Sequence, residues 1–138
     1  MQTEKINTER ILDLLEGHTG PVQALYLFGS FGSAVQDANS DMDLAVLPER
    51  ALSDRQRWAA SQELAAELGR DVDLIDLRAA STVLRSQILT SGRNLYRRPH
   101  DPSVEAFEDF VYADYARLNE ARAGILADIQ SHGTVYGG

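Results

Sequence analysis

Between Val22 and Pro48 the chain holds two short apolar runs, VQALYLF and MDLAVLP, joined by a polar interval that begins Gly29-Ser30; an aspartate stands on each side of Met42 where the second run opens. Runs this short, rich in strand formers and stopped by glycine or proline, predict strands over Val22 to Phe28 and Met42 to Leu47. Side chains two positions apart on a strand leave the same face, so Asp41 and Asp43 form a pair. Burying such groups costs roughly 2–7 kcal/mol for a polar side chain, and more for a charge, unless they face water or a cation. Two carboxylates this close also push one another toward protonation. A divalent cation removes that conflict, and magnesium takes one or two protein carboxylates with waters and phosphate oxygens completing its octahedron.

The rest of the pattern places helices around these strands. Thr3 to Glu16 carries Ile6, Ile11, Leu12, Leu14 and Leu15 mostly on one helical face and stops at Gly17 and Gly20-Pro21. Ser53 is an N-cap for a helix from Asp54 to Leu68, with Gly69 as its stop. The segment DVDLIDL, Asp71 to Leu77, predicts a strand; Ala79 to Thr90 predicts a helix ending at Gly92; RNLYRRP predicts an edge strand or extended crossing closed by Pro99. A long helix follows from Ser103 to Ser131, with Val104, Phe107, Val111, Leu118, Ile125 and Ile129 at helical spacing. Val104, Leu118 and Ile125 are expected in the core, and some of Phe110, Tyr112 and Tyr115 at a partner surface. The expected class is α/β (α+β), residues 1–138 as a single domain, with a C-terminal helix over about 103–131 and a tail over 132–138.

Charge narrows the partners. A net charge of -8 argues against binding driven by nucleic-acid phosphates, and suits a basic protein or a metal-neutralised small anion. The chain has no cysteine, which excludes disulfides, thiolate zinc sites and cysteine nucleophiles and agrees with a cytoplasmic location. No signal peptide and no membrane span are expected. His18 and His132 are expected in solvent, and Trp58 in the core or on a helix-packing surface.

A third carboxylate on a neighbouring strand would let two ions sit about 3.5–4 Å apart, the arrangement used for in-line displacement at phosphorus. Asp71, Asp73 and Asp76 are on offer; Asp71 and Asp73 share a face, Asp76 takes the other, and Asp73 lies deeper in the strand, so Asp73 is the expected third ligand. Gly29-Ser30, after a strand and before a short helix expected at Phe31 to Val35, suits a phosphate cradle of backbone N–H groups and a hydroxyl.

Gly29-Ser30, ten intervening residues and Asp41-Met42-Asp43 resemble the Gly-Ser-x10-Asp-x-Asp signature of the DNA polymerase beta nucleotidyltransferase superfamily, and the short length resembles its minimal nucleotidyltransferase (MNT) branch. The resemblance implies a polymerase beta-like fold with a small mixed sheet, a nucleotide-binding role for Gly29 and Ser30, and magnesium-binding and catalytic roles for Asp41, Asp43 and Asp73. The aromatic last helix and the closing GTVYGG are similar to the antitoxins of HEPN/MNT toxin–antitoxin pairs. That likeness implies transfer of AMP from ATP, with two magnesium ions, to a tyrosine of a HEPN ribonuclease toxin. Two alternatives stand beside it: neutralisation of the partner by stoichiometric binding, and transfer to a small-molecule hydroxyl. One departure is plain, since Gly32, Ser33 and Ala34 stand where many relatives carry an arginine; either ATP is held more weakly here, or a residue such as Arg78, Arg85 or Arg93 substitutes. Arg93 and His100 match the Arg-x6-His spacing of the partner ribonucleases, but Pro99 would break the helix such a motif needs.

Overall fold

The computed structural model describes residues 6–29 and 41–131. The elements run α1 (Thr8–Thr19), β1 (Val22–Phe28), β2 (Met42–Pro48), α2 (Asp54–Leu68), β3 (Val72–Asp76), α3 (Thr82–Ser91), β4 (Arg93–Arg97) and α4 (Pro102–Ser131). The four strands form one mixed sheet in the order β3-β2-β1-β4. β1 is antiparallel to β2 and to β4, whereas β2 and β3 are parallel. A parallel pair cannot be joined by a tight turn. Helix α2 makes the crossover, and its ends are well specified. Ser53 and Gln56 cap each other reciprocally at its start, and Gly69 closes it in the left-handed conformation.

Each face of the sheet is covered by a pair of helices. On one, Ile11, Leu14 and Leu15 of α1 and Ala60 and Leu64 of α2 pack against Leu25, Leu27, Met42, Leu44, Val46 and Leu74. On the other, Ile88 of α3 and Val104 of α4 pack against Ala24, Tyr26, Ala45, Leu47 and Leu77. Val22 and Leu25 belong to the same core although an odd spacing should separate them. The register shift between Val22 and Ala24 is the reason, because one extra residue, Gln23, resets the alternation.

That bulge feeds a polar knot at the end of the sheet where β1 begins. Buried Gln23 donates to Asp101 and to Ser103 and accepts from Arg78. Asp76, also buried, accepts from the backbone N–H of Leu52 at 2.7 Å and of Arg78 at 2.9 Å. No buried side-chain N or O among the described residues lacks a partner.

Several boundaries differ from expectation. Helix α1 starts later, because Asn7 accepts from the Arg10 N–H as its N-cap, and it passes through Gly17 to stop at Gly20, where φ is 77°. Helix α3 starts at Thr82 because Asp76 first holds a turn through the N–H groups of Arg78 and Ala79, and Ser81 then caps. Ile125, expected in the core, is 61% exposed, since no residue of α4 from 121 to 130 is covered. Trp58, also expected to pack, is 65% exposed on α2. His18 is not free in solvent but pairs with Glu63 of α2. The helix expected at Phe31 to Val35 and the tail, with His132, lie outside the described residues.

Replacing Asp76 by alanine takes the carboxylate acceptor from the half-buried N–H groups of Leu52 and Arg78, at up to about 1–3 kcal/mol each. Asp76→Ala is therefore expected to lower the urea midpoint by the equivalent of roughly 2–4 kcal/mol; an unchanged midpoint would show that the turn does not depend on this carboxylate.

Candidate active site

Strand direction gathers chemistry at one end of the sheet. Because β1 arrives where β2, β3 and β4 begin, the end of β1 and the starts of the other three lie side by side. Phe28 pairs with Asp43, and Asp43 pairs with Asp73 across the parallel ladder. Neighbouring strands are about 4.8 Å apart and paired side chains share a face, so the two carboxylates stand next to each other. Asp41 sits just before β2 and is exposed, while Asp43 is half-buried.

The electrostatics record the crowding. Burial first, then the charges of Asp73 and Asp41, push the Asp43 carboxyl above its ordinary value of 3.8. Asp71 serves through its backbone, accepting from the Met42 N–H and fixing where β3 starts against β2. Asp76 points to the opposite end and face and is consumed by the turn described above. Of the three carboxylates in DVDLIDL, Asp73 is the one placed beside Asp43.

Gly29 lies against Asp43 at this end of the sheet. Its φ is 80°, and a Cβ at this position would fall on the Asp43 carboxylate. Glycine is required twice over, by backbone conformation and by the approach of the acid. The spacing in the sequence thus reflects a real contact between the turn and the second strand. Ser30 lies outside the described residues.

The donor set fits a hard divalent cation in part. Oxygen ligands alone, mutual repulsion and incomplete coordination are what magnesium accepts when a substrate supplies the remainder. Among the described residues, no three His, Cys, Asp or Glu side chains are gathered closely enough to hold a metal by themselves.

Of the three arginines considered for the missing cation, two are committed elsewhere. Arg78 donates to the Pro48 carbonyl and to Gln23, and Arg85 donates to the carbonyls of Leu77 and Arg78. Both lie over the Phe107 ring at the end of the sheet away from Asp43. Arg93, at the start of β4, is the one at the carboxylate end. The Arg93 and His100 pair falls on a strand and on a loop residue with φ 55°, not on one helix. Tyr26, on the same sheet face as Asp43, is not a candidate acid or base. Burial and its hydrogen bond to Glu108 push its hydroxyl well above the ordinary range.

The polymerase beta nucleotidyltransferase model matches residues 9–101, which include Gly29, Asp41, Asp43 and Asp73. The chain belongs to the polymerase beta nucleotidyltransferase family. It is 38% identical over 129 residues to the protein adenylyltransferase MntA of Shewanella oneidensis, covering 94% of this chain and 91% of that one. Among solved structures it is similar to a chain of a toxin–antitoxin complex with AMP-PNP, at TM-score 0.74 and 38% identity over 91% of this chain and 99% of that chain. It is also similar to a chain of the complex of a tri-AMPylated Shewanella oneidensis HEPN toxin with its MNT antitoxin, at TM-score 0.71 and 37% identity over 90% and 96% of the two chains. The mixed sheet with its long last helix is therefore a nucleotidyltransferase fold. No helix of the described residues is long and apolar enough to cross a membrane.

The raised pKa of Asp43 carries a stability prediction with a definite sign. A carboxyl whose folded pKa lies above its unfolded one favours folding while protonated, and that contribution is lost as pH rises from about 3.8 through the folded value. In metal-free protein Asp43→Asn should therefore melt higher than the parent at pH 7, with the advantage vanishing as pH falls to the ordinary carboxylate range. Melting curves across pH in EDTA test this; a variant less stable than the parent at pH 7 would show that Asp43 is compensated within the fold.

Proposed function

We propose that this nucleotidyltransferase is the antitoxin of a HEPN/MNT toxin–antitoxin pair and acts as a protein adenylyltransferase, moving AMP from ATP to a tyrosine of its HEPN ribonuclease toxin with release of pyrophosphate. The observation that carries this reading is likeness to a protein adenylyltransferase along nearly the whole chain, at 38% identity over 94% of its length. The site supports it. A carboxylate pair at the start of two parallel strands, beside a glycine turn, suits transfer at phosphorus better than any other chemistry these residues offer. The absence of cysteine agrees with a cytoplasmic protein.

In this reading Asp41, Asp43 and Asp73 hold magnesium. When bound, magnesium neutralises triphosphate charge and favours the ionised form of the acceptor hydroxyl. Gly29 lets the backbone approach the phosphates, and Ser30, next in the chain, offers a hydroxyl and an N–H to them. Asp73 accepts the proton of the tyrosine hydroxyl as its oxygen attacks the α-phosphorus. The new O–P bond forms as the bond from that phosphorus to the bridging oxygen breaks, and the electron pair leaves with pyrophosphate. Positioning and charge neutralisation supply most of the rate, as in other phosphoryl-group chemistry.

Helix α4 favours a contribution from simple binding as well. Phe110 is 51% and Tyr112 46% exposed, and Ile125, Leu126 and Ile129 lie exposed on the half of the helix that no other element of the described residues covers. One experiment separates catalysis from masking. Purified protein with its HEPN partner, ATP and magnesium is expected to add one or more AMP masses to the partner, and Asp41→Ala combined with Asp43→Ala to add none. If the double variant labels the partner as the parent does, the mechanism is wrong; if it adds no AMP yet silences the toxin fully in cells, neutralisation is by binding.

A further inference from the structure

The adenylyl-transfer site as described is short of positive charge. A triphosphate brings about four negative charges to an end of the sheet that already carries three carboxylates, more than two divalent cations offset. Between Ser30 and Asp41 there is no lysine or arginine. Some other element has to supply the cation.

We propose that Arg93 holds the nucleotide's triphosphate, a role that rests on the adenylyl-transfer reading above. Arg93 opens β4 and pairs with Leu27, one position before the Phe28–Asp43 pair and two before Gly29. Its place is fixed by the chain just before it. The N–H of Gly92 closes α3 on the Ile88 carbonyl at 2.8 Å, and a Cβ on Gly92 would collide with that carbonyl and crowd the carbonyl of Leu27. Helix α3 therefore ends directly against the last residues of β1, and the next residue is delivered to the carboxylate end of the sheet.

The guanidinium is uncommitted. Arg10, Arg57, Arg97, Arg98 and Arg117 are each paired with a carboxylate, and Arg78 and Arg85 are spent on carbonyls. Arg93 is exposed, and among the described residues its side chain has no hydrogen-bond or ion-pair partner. An arginine this near three carboxylates would ordinarily fold onto one of them. Register explains why it does not. Paired residues share a face, so Arg93 stands with Leu27 on the side of α1 and α2, whereas Asp43 stands with Phe28 on the side of α3 and α4. A triphosphate lying across the end of the sheet from the carboxylates meets Arg93, whose planar fork of donors matches phosphate oxygens.

Isothermal titration with AMP-PNP and with AMP, both with magnesium, tests the assignment. Arg93→Ala is expected to weaken AMP-PNP binding about 10- to 100-fold, the range for a charge-assisted hydrogen bond, with AMP affinity unchanged because AMP lacks the phosphates being held. Arg93→Lys should recover part of the loss, and KM for ATP should rise more than kcat falls. Arg55→Ala, on the first turn of α2 at the other end of the sheet, should bind AMP-PNP as the parent does. If the parent binds AMP-PNP and Arg93→Ala binds it equally well, or loses AMP to the same degree, the assignment of Arg93 is wrong while adenylyl transfer stands. If the parent itself fails to bind AMP-PNP, adenylyl transfer falls and takes the role of Arg93 with it.

Discussion

The parallel pairing of β2 with β3 is the constraint on which the site depends. It is the ladder that sets Asp43 against Asp73, and it exists only because α2 carries the chain back to start a second strand in the same direction. Left to themselves, neighbouring carboxylates oppose this pairing, as the raised pKa of Asp43 records. The opposition is outweighed by apolar packing. Leu44, Val46, Leu64 and Leu74 are essentially without solvent contact on the α1/α2 face, and each such side chain contributes about 1.5–3 kcal/mol. The fold thus holds an unfavourable charge pair in place, so the proposed cation site would be preorganised for its ligand.

The two ends of the sheet divide the polar work. Where β1 begins, Gln23, Asp76, Arg78, Arg85, Arg98 and Asp101 are joined by hydrogen bonds that tie the loops before α3 and α4 to the strands. Where β1 ends, the carboxylates and Arg93 are left without such partners among the described residues, on opposite faces of the sheet. Satisfied groups at one end lock the frame, while unsatisfied ones at the other are available to a substrate.

Much of this was legible in the sequence, and what was missed has a common physical cause. The strands VQALYLF and MDLAVLP, helix α2 with Ser53 and Gly69 at its ends, and the placement of Asp73 and Asp76 on opposite faces all follow from local period and capping. Local pattern cannot show which long-range partner a charged side chain takes. Arg78 and Arg85 looked as available as Arg93, and His18 looked free, until the fold brought Pro48, Gln23, Leu77 and Glu63 to them. Ile125 kept helical spacing with buried Val104 and Val111, yet among the described residues no element packs over that part of α4. The contact between Gly29 and Asp43 was present in the sequence only as a spacing; its cause, a carboxylate occupying the place of a Cβ, needed the antiparallel register of β1 and β2.

In the proposed mechanism Asp73, through its pairing with Asp43, completes a divalent-cation site that works with bound nucleotide. Manganese binding followed by electron paramagnetic resonance, with AMP-PNP present, tests it directly on the parent and on Asp73→Asn. The account predicts bound manganese in the parent and markedly weaker binding in the variant, with the fold intact by circular dichroism. Equal manganese affinity in the two proteins would contradict it.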